Sequence, residues 1–576
     1  MLYMKQVLES PELPDDCGIA IEYQIPQSGK RIDILVSGQG HDRQDNLVIV
    51  ELKQWTSAAA TGQDGIVITA MRGGQVSTTH PSYQAWSYAS LLRDFNETVD
   101  VEGIGLHPCA YLHNCRDGSG VLDPRYGEYL NLAPIFLSGQ ALRLRRFLSE
   151  RICHGDRDGM LHRIENGRVR PSKTLADSVL AMLQGNPEFT LIDEQKLVFE
   201  QAFAMAQEAT AKSKQVLIVR GGPGTGKSVV AINLLARLTN LQIAVQYVSK
   251  NSAPREVYAS KLIGSFRKSH VQNLFRGSGT FVGSKPHSMQ ALIVDEAHRL
   301  NEKSGLYGNL GENQIKEIIS ATTCAIFFID EDQRIAMSDV GTVEEIRSHA
   351  DRAKASIIEM DLPSQFRCNG SDGYLAWLDN TLGIRETANV YGTEHGFDFR
   401  VFKSPTDLRD TIFKKNEASN RARLVAGYCW KWKSKKDREA HDIEFPGTDF
   451  KMRWNLTDDG SLWIMKPDSV NEVGCIHTCQ GLEVDYIGVI VGPDLIYRDG
   501  DVQVVPQARD RADKTIKGWK KLSKENPVEA KKRLNAIIRN TYRTLMTRGM
   551  KGCYVYCVDP ALGEYLESRM ARPSTG

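Results

Sequence analysis

The sequence predicts an α/β protein that folds as more than one domain. The chain has 576 residues, and at roughly 150 residues per domain this length suits about four folded units. Short apolar runs bounded by turn residues alternate with amphipathic segments along most of the chain, which is typical of strands and helices in α/β folds. Hydrophobic residues make up 41% and charged residues 25%. This composition excludes a wholly disordered chain, a collagen and a disulfide scaffold.

The overall charge is nearly balanced. There are 72 Lys and Arg residues against 71 Asp and Glu, a net charge of +1, which excludes a uniformly basic nucleic-acid coat. The balance conceals one basic stretch, because residues 501–552 hold 14 Lys/Arg and 5 Asp/Glu. The helical pattern AKKRLNAIIRNTYR inside it could contact a nucleic-acid backbone, or it could form a solvated helix face.

Patterns that indicate a membrane or secreted protein are not apparent. No apolar run approaches the roughly 18 to 20 residues of a membrane helix, and the N-terminal residues do not form a secretory signal. Eleven cysteines at irregular spacing indicate reduced thiols, so we expect a cytoplasmic protein without membrane association. The segment LHPCAYLHNC imitates zinc-ligand spacing, but we interpret it as a buried strand with packed thiols.

The first predicted domain, residues 1–150, carries charged residues inside apolar strand patterns. RIDILVSG places Asp33 in one strand, and NLVIVELKQW places Glu51 and Lys53 in the next. Because strand side chains alternate, Glu51 and Lys53 share a face. Charges that interrupt buried strands are costly without a partner. The pattern favours a site where Asp33 and Glu51 bind one or two Mg²⁺ ions and Lys53 neutralises phosphate charge or positions the nucleophile.

With the downstream segment SYQAWSYA, this pattern resembles the PD-(D/E)xK nucleases. Gln84 and Tyr88 stand four residues apart on one predicted helix face and match the QxxxY element of RecB-like members. The resemblance implies a restriction-endonuclease-like α/β domain with metal-dependent nuclease activity. The alternative is an Asp at a strand end beside a Glu–Lys surface pair. That family often has a further Glu on a helix before the Asp, a place for which Glu22 and Glu9 are candidates.

A polar segment separates this domain from the rest of the chain. The stretch CHGDRDGMLHRIENGRVRPSKT at 153–174 is rich in Gly and charge and poor in aromatic residues, which is typical of a linker or a mobile loop. An amphipathic helical pattern resumes near Leu175. We therefore expect residues 151–188 to form a linker and a connecting helix.

The strongest motif is GGPGTGKS, which follows the strand pattern QVLIVR and precedes the helix pattern SVVAINLLARL. Its glycines let backbone N–H groups surround phosphates, and the helix N-terminus adds the positive end of its dipole. Lys227 is expected to reach the β- and γ-phosphates, and Ser228 to bind Mg²⁺. The alternative is a glycine-rich turn without a ligand. The predicted nucleotide-binding residues are Gly221, Gly222, Pro223, Gly224, Thr225, Gly226, Lys227 and Ser228.

A second motif, ALIVDEAHRL at 291–300, predicts a buried strand that ends in two carboxylates. Asp295 is expected to hold Mg²⁺ directly or through water. Glu296 is expected to orient or deprotonate the attacking water. The alternative is an ordinary helix start, where acidic residues are favoured by the dipole.

These motifs, together with those that follow along the chain, resemble the ordered motifs of superfamily 1 helicases, which have two RecA-like parallel-sheet domains. The resemblance implies that Gln195 of FTLIDEQKLVFE reads adenine and that Gln333 of FFIDEDQRI senses the γ-phosphate. It also implies that Arg367 of LPSQFRC and Arg548 of YRTLMTRGMKG stabilise the charge of the transferred phosphoryl group. The segment HTCQGLEVDYIGVIVG supplies the last members of the implied nucleotide site, Gln480, Gly481 and Glu483.

More narrowly, QFRCNGSDGYLAWLDN and LVAGYCWKWKS resemble Schlafen group 3-like DNA/RNA helicase domains, over roughly residues 190–560. The resemblance implies RecA-like domains at 189–355 and 356–576, ATP and Mg²⁺ as cofactors, and nucleic acid as the partner, with DNA favoured over RNA. It does not imply processive unwinding, because the chain lacks room for the large insertions of the DNA-repair helicases.

The sequence therefore predicts an ATP-dependent helicase or translocase fused to a Mg²⁺-dependent nuclease. Defence against foreign nucleic acid is a role suggested by analogy. One alternative is an ATPase that senses nucleotide or nucleic acid and gates the nuclease without unwinding. Another is a binding module with a decayed N-terminal domain, against which the intact Asp33, Glu51, Lys53 and Gln84 argue.

Overall fold

The chain forms two compact units, Met1–Gln207 and Glu208–Gly576. The structure is a computed structural model, and it describes residues 2–25, 30–156, 158–167, 175–186, 189–305, 308–364, 372–392, 397–455, 463–464, 466–479 and 484–570. Each unit combines helices with its own sheets, which agrees with the predicted α/β class. The predicted domain limits within these units stay a prediction.

The first unit begins with one helix and six consecutive strands, and helices predominate after them. Its strands are β1 Gly18–Gln24, β2 Arg31–Gln39, β3 Asp45–Lys53, β4 Ala58–Ala60, β5 Ile66–Met71, β6 Gly74–Thr79, β7 Gly105–Leu112 and β8 Ile135–Leu137. Its helices are α1 Leu2–Leu8, α2 Pro81–Phe95, α3 Glu97–Val101, α4 Gly127–Leu132, α5 Ala141–Ser149, α6 Met160–Glu165, α7 Leu175–Leu183 and α8 Asp193–Glu208.

The main sheet of this unit mixes strand directions. In the described part of the unit its order is β1-β2-β3-β7-β8, while β4, β5 and β6 form a smaller antiparallel sheet. β1, β2 and β3 are antiparallel neighbours, whereas β7 and β8 continue the sheet parallel to β3. Two neighbouring parallel strands need a crossover connection between them, and α2 and α3 lie in the connection from β3 to β7. The apolar residues 47–50 of β3 are fully buried, so this strand is covered on both faces.

Part of the polar segment at 153–174 is packed into the first unit. It contains α6, and the side chain of Arg163 pairs with Asp45 and, at 2.9 Å, with Glu102. Asn96 Nδ2 also donates a hydrogen bond to the carbonyl oxygen of Ile164 at 2.7 Å. The composition of this segment is typical of a linker, but composition does not reveal tertiary contacts. In the structure, the charged side chain of Arg163 has partners on β3 and at the end of α3. Residues 168–174 lie outside the described residues.

The second unit carries the longer strands predicted from the apolar runs. Its strands are β9 Gln215–Gly221, β10 Val245–Val248, β11 Phe275–Arg276, β12 Met289–Val294, β13 Thr322–Ile329, β14 Ser356–Leu362, β15 Asp398–Phe402, β16 Ala422–Ala426, β17 Ile443–Glu444, β18 Lys451–Trp454, β19 Glu472–Gly474, β20 Val484–Val491, β21 Leu495–Arg498, β22 Asp501–Val504 and β23 Gly549–Cys557. Its helices are α9 Lys227–Asn240, α10 Ser252–Leu262, α11 Lys268–Leu274, α12 Gln314–Ala321, α13 Val343–Arg352, α14 Asp372–Thr381, α15 Pro405–Ser419, α16 Ile476–Cys479, α17 Trp519–Glu525, α18 Pro527–Met546 and α19 Pro560–Ser568.

The first sheet of this unit is parallel throughout its described strands. Its order is β11-β10-β12-β13-β9-β14. β9, β12 and β13 are apolar and almost wholly buried, as parallel strands with both faces covered require. Because these three strands are consecutive neighbours and parallel, the loops at their carboxyl ends meet at one edge of the sheet. Those loops carry the GGPGTGKS, DEAH and Gln333 motifs.

The second sheet has the order β15-β23-β20-β16-β19-β18-β17 among the described strands. Its pairs are parallel except for the antiparallel pair β17 and β18. Helix α18 packs against this sheet through apolar residues that include Ile538, Leu545 and Met546. Its start is fixed by Pro527 in the first turn and by Asn526 Oδ1, which accepts a hydrogen bond from the Glu529 N–H at 3.1 Å. Among the described residues, no helix combines the length and apolar character needed to cross a membrane.

Candidate functional sites

The loop between β9 and α9 has the shape that a phosphate-binding loop needs. Gly224 and Gly226 have positive φ angles of 76° and 82°, which glycine adopts without a Cβ clash. A Cβ atom on Gly222 would meet nothing within 4 Å, so this part of the loop borders open space. Helix α9 begins at Lys227, and its first backbone N–H groups have no partner within the helix. This end of the helix, with the positive end of the helix dipole, favours an anion.

Lys227 and Ser228 are the first two residues of α9, directly after the loop. Lys227 Nζ donates hydrogen bonds to the carbonyl oxygens of Gly221 and Gly222 at 2.7 and 2.6 Å, and Thr225 Oγ1 donates to Gly222 O at 3.1 Å. Ser228 Oγ donates to Asp295 Oδ2 at 2.6 Å. A hydroxyl and a carboxylate are oxygen ligands of the kind that Mg²⁺ prefers, so this pair fits the cation that accompanies ATP.

The Asp295 carboxylate is held by three donors. Besides Ser228, Tyr247 OH donates to Oδ2 at 2.6 Å, and the backbone N–H of Glu296 donates to Oδ1 at 2.8 Å. Burial and the nearby Asp295 raise the pKa of Tyr247 well above its usual range, so this hydroxyl remains a donor. The sequence analysis missed Tyr247, because nothing in the strand pattern IAVQYVSK distinguishes it from an ordinary buried aromatic residue.

Glu296 has an unusual backbone and an unusual side-chain environment. Its φ angle is +51°, a left-handed conformation that costs a non-glycine residue about 1–3 kcal/mol. Its side chain is buried, and Oε2 has no hydrogen-bond partner among the described residues. Burial first, and then Asp295, raise the pKa of Glu296 to about 7, against the opposing charges of Arg548, Arg299 and Lys227. A carboxylate with a pKa near neutrality suits the acceptance of a proton from water.

Gln333 and Arg548 meet beside Glu296. Gln333 Nε2 donates to Asp330 Oδ2 at 2.7 Å, and its Oε1 accepts a hydrogen bond from Arg548 Nη2 at 3.0 Å. Arg548 follows α18, is buried, and also donates from Nε to the Thr544 carbonyl at 3.1 Å. Residues far apart in the sequence thus place an amide, a guanidinium and a carboxylate at one end of the parallel sheet.

Some predicted members of the nucleotide site cannot be placed with it. Gln195 lies on α8 in the first unit, where its Oε1 accepts a hydrogen bond from the Ile192 N–H at 3.4 Å. Its contact with adenine stays a prediction. The other members, Arg367, Gln480, Gly481 and Glu483, lie outside the described residues, and their roles also stay predictions.

In the first unit, Asp33 and Glu51 lie on the neighbouring antiparallel strands β2 and β3. Asp33 Oδ2 accepts a hydrogen bond from the Leu52 N–H at 2.7 Å. Lys53 Nζ lies 2.7 Å from Glu51 Oε1, as expected of two side chains that share one strand face. The structure therefore brings together the three residues of the D…ExK pattern.

Glu51 has the properties of a ligand that lacks a partner. Its side chain is 5% exposed, and Oε2 has no hydrogen-bond partner among the described residues. Burial raises the pKa of Glu51 to about 7; Lys53 opposes this rise, while Asp33 and Asp193 add to it. A buried carboxylate oxygen without a donor, close to a second carboxylate, fits a hard divalent cation.

The number of protein ligands is small. Within the described ranges, no three His, Cys, Asp or Glu side chains come together as a metal-binding group. A cation held by Asp33 and Glu51 would thus need water or substrate oxygens to complete its coordination. In the segment LHPCAYLHNC, Cys109 lies on β7, and both Cys109 and Cys115 are buried.

Gln84 and Tyr88 lie one turn apart on α2 and connect to residues that the sequence analysis missed. Gln84 Nε2 donates to Tyr88 OH at 2.9 Å, and Tyr88 OH donates to Asp193 Oδ2 at 2.7 Å. Lys30 Nζ lies 2.8 Å from the same Asp193 oxygen and 2.7 Å from Glu194 Oε2. Asp193 was missed because the sequence analysis assigned the segment FTLIDEQ to the helicase motifs. That assignment gives Asp193 no role in a nuclease site.

The two candidates for a further acidic ligand lie elsewhere. Glu22 is exposed on β1, not on a helix, and has a φ angle of +52°. Glu9 follows α1, has a side chain that is 67% exposed, and lies 3.5 Å from Lys5 in a surface ion pair. Neither has a contact with Asp33 or Glu51 among the described residues, so nothing supports either as a cation ligand.

Sequence comparison relates the second unit to a known family. The family described as "Schlafen group 3, DNA/RNA helicase domain" matches residues 214–559, which is more than half of the chain. A protein of Saccharomyces cerevisiae, described as "Uncharacterized protein YPL245W", is 24% identical over 440 residues that cover 70% of this chain and 93% of the yeast protein.

Comparison with solved structures finds helicases at low similarity. Bacteroides sp Pif1 in complex with ADP-AlF4 is 8% identical with a TM-score of 0.26, and covers 64% of this chain and 96% of its own. Pif1 helicase from Candida albicans is 11% identical with a TM-score of 0.28, covering 65% and 97%. The DEAD-box helicase Mss116 bound to ssRNA and UDP-BeF is 11% identical with a TM-score of 0.32, covering 66% and 75%.

Proposed function

The chain belongs to the Schlafen group 3 DNA/RNA helicase domain family, and on that basis we propose that it is a nucleic-acid-dependent ATPase of the helicase type joined to a Mg²⁺-dependent nuclease. The ATPase proposal is carried by one observation above the others. Arg548 and Gln333, from separate parts of the second unit, are hydrogen-bonded at 3.0 Å beside the buried Glu296. This is where a hydrolytic centre needs an arginine, an amide and a base.

Each residue of the ATP site has a separate task. Bound ATP supplies a phosphoryl group whose charge spreads over its oxygens during transfer. Lys227 and the first N–H groups of α9 would bind phosphate, and Ser228 and Asp295 would hold the accompanying Mg²⁺. Glu296 accepts the proton of the attacking water. Arg548, oriented by Gln333, stabilises the developing negative charge.

The proposed nuclease site is supported by the contacts of Asp33, Glu51 and Lys53. The two carboxylates would hold a divalent cation, which lowers the pKa of a bound water when present. Lys53, already 2.7 Å from Glu51 Oε1, would exchange this partner for a substrate phosphate. The hydrogen-bonded pair Gln84 and Tyr88 supports the resemblance to RecB-like nucleases.

The finer assignments are proposals of the same kind. We place the nuclease in residues 1–150, the connection in 151–188, and RecA-like domains in 189–355 and 356–576. DNA is the proposed partner ahead of RNA, on the sequence resemblance alone. A role in defence against foreign nucleic acid is proposed by analogy with such fusions.

A second candidate function is an ATPase that gates the nuclease without unwinding nucleic acid. The observation that favours it is the position of Asp193. This first residue of α8 contacts Tyr88 in the candidate nuclease site, and α8 is the last helix before strand β9 and its phosphate-binding loop. ATP-controlled cleavage without strand separation would favour this candidate over the helicase.

The experiment that tests the proposal measures both activities on the full chain. ATP hydrolysis is followed with single- and double-stranded DNA and RNA for the wild type, for Lys227→Ala and for Lys212→Ala, an exposed control. Mg²⁺-dependent cleavage is followed for the wild type, Lys53→Ala and the exposed control Lys5→Ala. We expect the Lys227 and Lys53 variants each to lose one activity. Wild-type protein without nucleic-acid-stimulated hydrolysis and without cleavage on any substrate would overturn both parts.

A further inference from the structure

Asp193 lies inside the candidate nuclease site although it belongs to the segment that precedes the ATPase. Its side chain is only 9% exposed. Oδ2 accepts a hydrogen bond from Tyr88 OH at 2.7 Å and forms an ion pair with Lys30 Nζ at 2.8 Å. Tyr88 lies on α2, and Lys30 directly precedes β2, the strand of Asp33. One carboxylate oxygen thus joins three elements around the candidate site.

The other oxygen of Asp193 has no such partner. Oδ1 is buried without a hydrogen-bond partner among the described residues, and so is Oε2 of Glu51. Both carboxylates belong to one small group of elements, because Asp193 contacts Tyr88 on α2 and Lys30 beside β2, and Glu51 lies on β3, the neighbour of β2. A buried acceptor without a donor loses its hydration and gains no hydrogen bond in return, which destabilises the fold. Two such oxygens from different elements therefore indicate a cation, or water bound to a cation, as the missing partner.

The alternative is that Asp193 serves only to neutralise Lys30. Its neighbour Glu194 provides a comparison that can test this alternative. Glu194 Oε2 lies 2.7 Å from the same ammonium group, but the Glu194 side chain is 35% exposed. If charge neutralisation were the whole role, the two acidic residues would be nearly interchangeable. Asp193 also accepts a hydrogen bond from the Tyr88 hydroxyl, and its Oδ1 is buried without a hydrogen-bond partner among the described residues.

We propose that Asp193 is a positioning residue of the candidate nuclease site, which holds Tyr88 and Lys30 through Oδ2 and offers Oδ1 to water bound to the divalent cation of Asp33 and Glu51. This inference rests on the proposed nuclease function. Direct binding of one cation by all three carboxylates is not part of it, because no three acidic side chains within the described residues form a metal-binding group. Loss of a residue that orients the groups around a metal lowers metal affinity or activity by about 10- to 100-fold.

The test measures cation affinity in the full chain without nucleotide, with Mn²⁺ as the probe and its free concentration read by electron paramagnetic resonance. All variants are made in an Asp295→Asn background, which removes any contribution from the ATP site. We expect Asp33→Asn to abolish the site and Asp193→Asn to weaken it at least about tenfold. Glu194→Gln should bind as the parent does, and Asp193→Glu should recover part of the affinity. Tyr88→Phe, which keeps the ring, should weaken binding by a smaller factor.

The outcomes separate this inference from the function on which it rests. If the parent has no Mn²⁺ site that depends on Asp33, the nuclease proposal fails. If that site exists and Asp193→Asn binds Mn²⁺ like the parent, the inference is overturned while the nuclease proposal stands. Equal losses in Asp193→Asn and Glu194→Gln would also overturn it, because they would assign the effect to Lys30. A lower thermal unfolding midpoint with unchanged affinity would leave Asp193 only a structural role.

Discussion

Arg548 Nη2 donates a hydrogen bond to Gln333 Oε1 across 3.0 Å, and this contact joins the end of α18 to the loop after β13. Both side chains are buried. The charge of Arg548 also opposes the rise in the pKa of Glu296, so the guanidinium, the amide and the carboxylate share one environment. An arginine contributes to phosphoryl transfer through its position, and here a neutral amide, Gln333, helps to fix that position.

The contact predicts that charge alone cannot replace Arg548. Arg548→Lys keeps the positive charge but loses the planar fork that donates to Gln333. We expect kcat for ATP hydrolysis to fall by at least about 100-fold, the effect of losing one donor to a developing charge, with a smaller change in KM. Arg533→Lys is the matched control, because Arg533 is exposed on the same helix and pairs with Glu529. A kcat within a factor of three of the wild type would contradict the proposed role.

The pKa of Glu296 predicts a pH dependence in the neutral range. Burial raises this pKa to about 7, and a base must be deprotonated to accept a proton. We therefore expect kcat/KM for ATP to rise as the pH increases through about 7 and then to level off. Steady-state rates between pH 6 and 8.5 check this, with Glu296→Gln as the inactive reference. A flat profile, or a fall in kcat/KM over the same range, would exclude Glu296 as the base.

The same residues show what the sequence could predict and what it could not. The contact between Ser228 and Asp295 was predictable from the sequence. Each residue belongs to a recognisable motif, and the carboxyl ends of parallel strands bring both motifs to one edge of the sheet. Tyr247, Lys30 and Asp193 were not, because their roles depend on which side chains tertiary packing brings to a carboxylate. In the basic stretch 501–552, the charge count alone does not separate buried from exposed residues. Its charge count includes Arg509 and other arginines that are buried in internal contacts.

The environment of Glu51 predicts a conflict between stability and activity. Because the pKa of Glu51 is raised to about 7, the folded state binds its proton more tightly than the unfolded chain. The free energy of unfolding therefore falls as the pH rises from the unfolded pKa toward 7. Glu51→Gln removes this charge, so we expect a higher thermal unfolding midpoint than the wild type at pH 8, a much smaller difference at pH 4, and no cleavage at either pH. A lower midpoint than the wild type at pH 8 would show that the ion pair with Lys53 outweighs burial.

A basic surface on α17 predicts salt-dependent binding of nucleic acid. Arg509, Arg543 and Arg548 are buried, but the lysines of α17 are exposed, and these are Lys520, Lys521 and Lys524. A triple Lys→Glu variant at these positions should bind single-stranded nucleic acid more weakly. For each phosphate that the variant no longer neutralises, the slope of log K against log salt should become shallower by about 0.7. The control is the triple Lys→Arg variant, which keeps the charge and should retain both affinity and slope. Fluorescence anisotropy at several salt concentrations measures both quantities. An unchanged slope in the Lys→Glu variant would make α17 a solvated face without a role in binding.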